Sequence, residues 1–295
     1  MTLLCNHVAF DGTASRILLD DLREEYVGVL DGRPERQPDL SPRTLEETAR
    51  EPDWRTAVAT VARGTATWWR APVSTHADPG PPSDAPAEEH VTVELGPLLA
   101  ELAPLRRKYW WSVDAVLVGV LEKAWSEVFG PPVAESTWLV ARDLRPGLGI
   151  SRGIGNLSTA AGVSLTDPRD DLIAVIDQAE AALAAQSNDL LTAGSSVGRW
   201  GPASDFSFAQ MLRRSSRLRA YRTVSNVGQL GDSLAGWGDA RLRRVWFVGP
   251  LAHPPYTSFI AAGNGDSTLV SMRVSPDWLT ADHAVAIEQA LGQLV

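Results

Sequence analysis

Cysteine is nearly absent: Cys5 is the only one among 295 residues. That excludes an intramolecular disulfide and any cysteine-built zinc or iron–sulfur site. Histidine is scarce too. Its five copies are scattered, with no His-x-x-His or His-Glu-x-x-His spacing, so no metal site is expected. No apolar run approaches the roughly 20 residues of a membrane span. The first residues lack the basic region and cleavage site of a signal peptide, so the expected location is the cytoplasm of a bacterial-type cell. Positive charge is in deficit, with 27 basic residues against 36 acidic and a net charge of −9, which argues against a nucleic-acid partner. No Gly-x-Ser-x-Gly elbow occurs, and the glycine-rich stretch 147–155 lacks the Gly-Lys-Ser/Thr ending of a phosphate loop.

What remains is the composition of a globular protein: 44% hydrophobic and 21% charged, enough for one large or two modest domains. Residues 2–8 read as a strand that Asp11-Gly12 breaks. Thr13 or Ser15 can then cap a helix carrying Ile17, Leu18, Leu22, Tyr26 and Val29 on one face. A second helix is expected over 54–69. Residues 71–89 hold five prolines and no periodicity, and mark the boundary between residues 1–70 and 90–295. Strands are expected over 91–95, 135–143, 161–165, 223–228, 243–248, 256–263 and 267–274, with Asn264-Gly265 as a hairpin signal. Helices are expected over 98–107, 112–129, 169–186, 205–219 and 278–294. Strands interleaved with helices give an α/β or α+β sandwich.

One constellation carries chemistry. His7 and Asp11 stand four apart at a strand exit, with Gly12 after them. The break lets the Asp11 carboxylate turn back onto its own loop, while the imidazole projects from a rigid strand end. Histidine is the side chain that can take a proton near pH 7. A core histidine followed by a turn is the plain alternative.

The run Asn6–His7–Val8–Ala9–Phe10–Asp11–Gly12 resembles the His-His-x-x-x-Asp-Gly signature of the condensation-domain and CoA-dependent acyltransferase superfamily, with Asn6 in place of the first histidine. Four further segments are similar to the family's in order: Ser112–Val113–Asp114 opening a helix, Asp143–Leu144–Arg145–Pro146 ending a strand, Gly155–Asn156, and Val224–Ser225–Asn226–Val227–Gly228. The closing strand and helix also fit. The condensation-domain Asp-Phe-Gly-Trp-Gly segment has only a faint echo at 232–239, which favours polyketide-associated and wax-ester-type acyltransferase branches.

The resemblance implies a two-lobed chloramphenicol acetyltransferase-like fold with a tunnel between the lobes. It implies acyl transfer from a thioester, on CoA or on a carrier protein's phosphopantetheine, to a hydroxyl or amine of a small-molecule or carrier-bound acceptor. The setting would be polyketide or nonribosomal-peptide assembly, with no cofactor permanently bound. His7 would be the catalytic base, and Asp11 and Gly12 structural at the site. Ser225 and Asn226 would line the oxyanion position, or else simply form a turn. Asn6, Arg145, Asn156 and His253 are candidates for the tunnel. Gly12 would admit the substrate to the backbone, or merely make the turn. The alternatives on the same scaffold are a non-catalytic carrier-docking module, or epimerisation, cyclisation or dehydration of a carrier-bound intermediate.

The signature begins at residue 6, without the stretch that family members carry before it. The expectation is an incomplete first lobe, with Asp11 lacking the arginine that holds the signature aspartate. A later-than-true start, a second chain completing the lobe, or a reduced member would each account for that. The five arginines between Arg213 and Arg222 read as a solvated helix face, with docking of an acidic carrier as the functional alternative. Trp68, Trp69, Trp110 and Trp111 read as packing residues, and His76, His90 and His283 as surface.

Overall fold

The computed structural model describes Cys5 and residues 11–33, 89–94, 98–130, 136–148, 158–166, 171–197, 222–231, 236–240, 242, 245–248, 257–264, 267–274 and 281–294. The expected strand at 2–8 with Asn6 and His7, the helices at 54–69 and 205–219, Arg213 to Arg219, Asn156 and His253 lie outside these residues. The described elements are α1 (Gly12–Leu30), β1 (Glu89–Glu94), α2 (Leu98–Tyr109), α3 (Val113–Phe129), β2 (Ser136–Asp143), the short α4 (Arg145–Leu148), β3 (Ser158–Leu165), α5 (Leu172–Val197), β4 (Arg222–Gln229), β5 (Thr257–Asn264), β6 (Ser267–Val274) and α6 (Ala281–Gln293).

Six strands form one mixed sheet in the order β1-β6-β5-β4-β2-β3. The central strands β5, β4 and β2 run parallel, and antiparallel partners flank them. β5 and β6 form the hairpin that Asn264-Gly265 signals, with Asn264 opposite Ser267.

α3 is the central helix. Ser112 caps it by accepting from the Ala115 N–H, and Gly130 before Pro131 ends it. The sequence suggests one apolar side, but every residue from Ala115 to Glu122 is buried. The reason is that α3 packs on β4 while α5, itself lying on β3, and α6 also pack against it, and a helix apolar all round is a helix covered all round. At its crossing with α5, a Cβ on Gly119 would stand 2.5 Å from Ile176 Cγ1. Gly119→Ala is therefore expected to lower stability by about 1–3 kcal/mol through overpacking, despite alanine's better helix propensity. A urea midpoint equal to or above wild type would show that the two helices can move apart.

Alternation along β4 separates two faces. Arg222 and Val224 point into the core beneath α3. Ser225 and Val227 point the other way, where Val227 joins Leu230, Ala262 and Ile260 in a second cluster. α1 packs on that second face. The expected strand over 243–248 does not form at residues 245–248. Val245 and Phe247 pack inward on the second cluster while Trp246 and Val248 are exposed, so the alternation is real but pairs with no ladder.

Candidate functional site

The carboxyl ends of β2, β4 and β5 share one rim, the position at which sheets with parallel strands ordinarily build their sites. Two helices start there. α3 runs antiparallel to β2: Asp114 in its first turn meets Arg142 near the end of that strand, and Glu122 meets Ser136 at its beginning. α1 starts there as well, because a Cβ on Gly12 would stand 3.1 Å from Val227 Cγ2 and 3.8 Å from Ser225 Oγ on β4.

Asp11 closes the N-terminus of α1. Its Oδ1 accepts from the Ala14 N–H at 2.7 Å, an N-cap that the sequence places two or four residues later, at Thr13 or Ser15. The same carboxylate receives both arms of the Arg145 guanidinium, Nη1 to Oδ2 at 2.9 Å and Nη2 to Oδ1 at 3.1 Å. This fork is the strongest geometry available to such a pair. Asp143 Oδ1 takes a further bond from Arg145 Nη1 at 2.9 Å and caps the Arg145 N–H at 3.0 Å. Arg145 is 2% exposed. Burial works against its charge, but its hydrogen bonds to Asp11 and Asp143 and their negative charges outweigh it, holding the guanidinium pKa above its ordinary value. Asp11 thus accepts from the Ala14 N–H and from both arms of Arg145, and it tethers the start of α1 to the end of β2 across 134 residues of sequence.

A second node lies beside the first. Asp114 Oδ2 pairs with Arg142 Nη1 at 2.8 Å, and Asp114 Oδ1 accepts from Asn226 Nδ2 at 3.0 Å. The other end of the Asn226 amide accepts from the Gly228 N–H at 2.9 Å. That bond spans the bulge at which β4 shifts register against β5, and Gly228 sits at φ +86°, where only glycine is unstrained.

Several expectations change on this geometry. Asp11 does have its arginine. The partner is Arg145, supplied by the strand end after Asp143 rather than by a stretch preceding the signature. Arg145 in turn is a buried clamp on Asp11. Ser225 and Asn226 lie within β4 and form no turn: the Asn226 amide is engaged by Asp114 and Gly228 across the bulge, while half-buried Ser225 faces the start of α1. Gly12 stands where α1 approaches β4 closely, so that a Cβ there would press on the Val227 side chain. Arg222 is no part of a solvated helix: it is the first residue of β4 and is buried in the core. Trp111 is a packing residue, but Trp110 is 88% exposed. His283 is half-buried against Phe129, with ring centroids 5.1 Å apart. The Asp114–Arg142–Asn226 node was not foreseen, although three of the quoted segments, at 112–114, 143–146 and 224–228, converge on this rim.

No protein-family model matches the sequence, and no curated protein matches it. Solved structures do. Over 96% of the chain it is similar to the trichothecene 15-O-acetyltransferase of Fusarium sporotrichioides, with a TM-score of 0.70 and 13% identity. The first condensation domain of the CDA synthetase matches 98% of it at 0.67 and 17%, and the epimerization domain from the third module of tyrocidine synthetase B matches 98% at 0.66 and 14%. The chain has the condensation-domain fold. It spans 62–66% of the length of these three structures. The α/β class expected from the sequence is therefore the class observed, as one mixed sheet with its helices, and among the described residues no helix is long and apolar enough to cross a membrane.

Proposed function

We propose that the chain moves an acyl group from a thioester, on CoA or on a carrier protein's phosphopantetheine, to a hydroxyl or amine, forming an ester or amide in natural-product biosynthesis. The observation that carries this reading is the clamp of Asp11 by Arg145 at the rim. It commits the signature aspartate to holding the chain, which leaves His7, four residues upstream, as the group available for proton transfer. Residues 1–70 would carry the remainder of the histidine-bearing lobe, residues 71–89 the connection, and residues 90–295 the second lobe.

His7 takes the proton of the acceptor O–H or N–H as that atom attacks the thioester carbonyl. The C–S bond then breaks as the carbonyl re-forms, and the proton passes to the departing thiolate. The transient oxyanion needs a donor. With the Asn226 amide engaged by Asp114, the Ser225 hydroxyl beside Gly12 is the donor at hand. A neighbouring structure, a starter condensation domain of rhizomide synthetase, is in complex with C8-CoA and Leu-SNAC, which supports a thioester co-substrate.

The test is free-thiol release from a panel of acyl-CoA and acyl-carrier thioesters with mixed alcohol and amine acceptors. His7→Ala is expected to fold as wild type and to lose about 10²-fold or more of the rate. Equal release by the folded variant would remove His7 from the chemistry. Carrier binding that survives in both proteins without turnover would instead indicate a docking module. A mass change in the tethered substrate without acyl transfer would indicate epimerisation, cyclisation or dehydration.

A further inference from the structure

The end of α2 spends backbone conformation on a side chain that the fold does not use. The helix closes with the Trp111 N–H donating to the Arg106 carbonyl at 3.1 Å. Trp110 lies inside that closure at φ +61°, the only left-handed non-glycine residue among those described. Helix closures of this kind favour glycine because a Cβ is disfavoured there. Both neighbours are locked. Tyr109 stacks on Trp111 with ring centroids 4.8 Å apart, and the buried Trp111 donates from Nε1 to Asp177 Oδ1 at 2.6 Å. The Trp110 indole itself points into solvent. Three cations precede it: Arg106 half-buried, Arg107 and Lys108 exposed, with Lys108 Nζ 4.7 Å from the centre of the Tyr109 ring. Tryptophan, tyrosine and arginine together are the side chains that dominate binding energy at protein interfaces.

The position and charge of this tip select its occupant. Tyr109 and Trp110 stand exposed, whereas small-molecule sites are concave and enclose their ligand. Leu99, Leu102 and Leu105 pack against the core, so α2 has no apolar face free to lie in a bilayer. A run of three cations on a chain of net charge −9 complements an acidic protein surface. Trp110 also precedes by four residues the Asp114 that bonds Arg142 and Asn226, so the tip stands at the rim of the candidate site. We infer that Arg106 to Trp110 form the docking surface for an acidic carrier protein that delivers the thioester to that rim. Naming a carrier rests on the proposed acyl transfer; the acidic surface rests on the tip alone.

Binding is measured directly, with the full chain and an acyl carrier protein bearing octanoyl-phosphopantetheine, by calorimetry at low and high salt. Trp110→Gly is expected to melt no lower than wild type, since glycine suits the backbone, and to weaken carrier binding tenfold or more. Arg107→Glu with Lys108→Glu is expected to do the same and to abolish the salt dependence. Thiol release from octanoyl-CoA stays unchanged in both. Carrier affinity equal to wild type in both variants, or no wild-type binding at millimolar carrier, overturns the docking surface. So does Trp110-dependent sedimentation with phosphatidylserine vesicles in place of carrier binding. Failure of the acyl-transfer reading shows separately, as absence of thiol release from every donor.

Discussion

Asp11→Ala is expected to cost the folded protein about 3–5 kcal/mol, most of it through the cation left behind. The N-cap to Ala14 accounts for about 1 kcal/mol on its own. The rest follows from Arg145, which stays buried after losing the better-buried of these two carboxylates, since the Asp143 side chain is 32% exposed. Asp11→Asn separates the two contributions. It retains an acceptor for the Ala14 N–H and loses only the charge, so a cost of about 2 kcal/mol is expected, between a lost cap and a broken pair. Arg145→Lys falls in the same range, because a point charge cannot span both carboxylate oxygens. Urea unfolding with an unchanged slope measures all three. A cost for Asp11→Ala no greater than that of a lost cap would mean that the fork is open to water. Because α1 begins where the signature ends, the same variants are expected to lower turnover under the proposed chemistry, without Asp11 touching substrate.

How much of this was legible can be judged residue by residue. The end signals of α3 were local, a Ser112 cap and a Gly130-Pro131 stop, and the helix formed between them. The β5–β6 hairpin was legible for the same reason. α5 was expected to end near residue 186 and continues to Val197, since no glycine or proline stands there to stop it. α2 runs through Pro104, because Leu99, Leu102 and Leu105 hold it on the core whatever the proline loses in hydrogen bonding. Strand order was not legible: β1 pairs with β6, Glu89 opposite Val274, and nothing near either residue encodes the other. The candidate site divides in the same way. Asp11 was visible as a signature residue, but its partner is 134 positions away, and Arg145 could be read as a site residue without its role. Arg222 shows the limit most clearly. It closes a stretch that also holds Arg213, Arg214, Arg217 and Arg219, and only the sheet reveals that it faces inward.

That inward arginine sets the second large effect. Arg222 Nη1 stands 3.0 Å from Glu122 Oε2, and Glu122 is fully buried in α3. Glu122 Oε2 also accepts from Ser136 Oγ at 2.6 Å and Trp138 Nε1 at 2.7 Å, and Oε1 accepts from Ser126 Oγ at 3.2 Å. The Arg222 guanidinium donates to Ser136 Oγ and lies over Trp138 and Trp125, 4.6 and 5.0 Å from the ring centres. Burial pushes the Arg222 pKa below its ordinary value, against the pull of the Glu122 charge and hydrogen bond. The guanidinium therefore depends on the Glu122 carboxylate to remain charged in the core. Arg222→Met and Glu122→Gln are each expected to destabilise by about 3–5 kcal/mol, since each strands a buried charge. Glu122→Met with Arg222→Met removes both charges and is expected to cost no more than either single change. It is not expected to reach wild-type stability, because Ser136 Oγ and Trp138 Nε1 lose their acceptor at about 1–3 kcal/mol each. Single costs that simply add in the double variant would show that the two side chains act independently. The pair would then be a coincidence of position rather than the link between α3 and the start of β4.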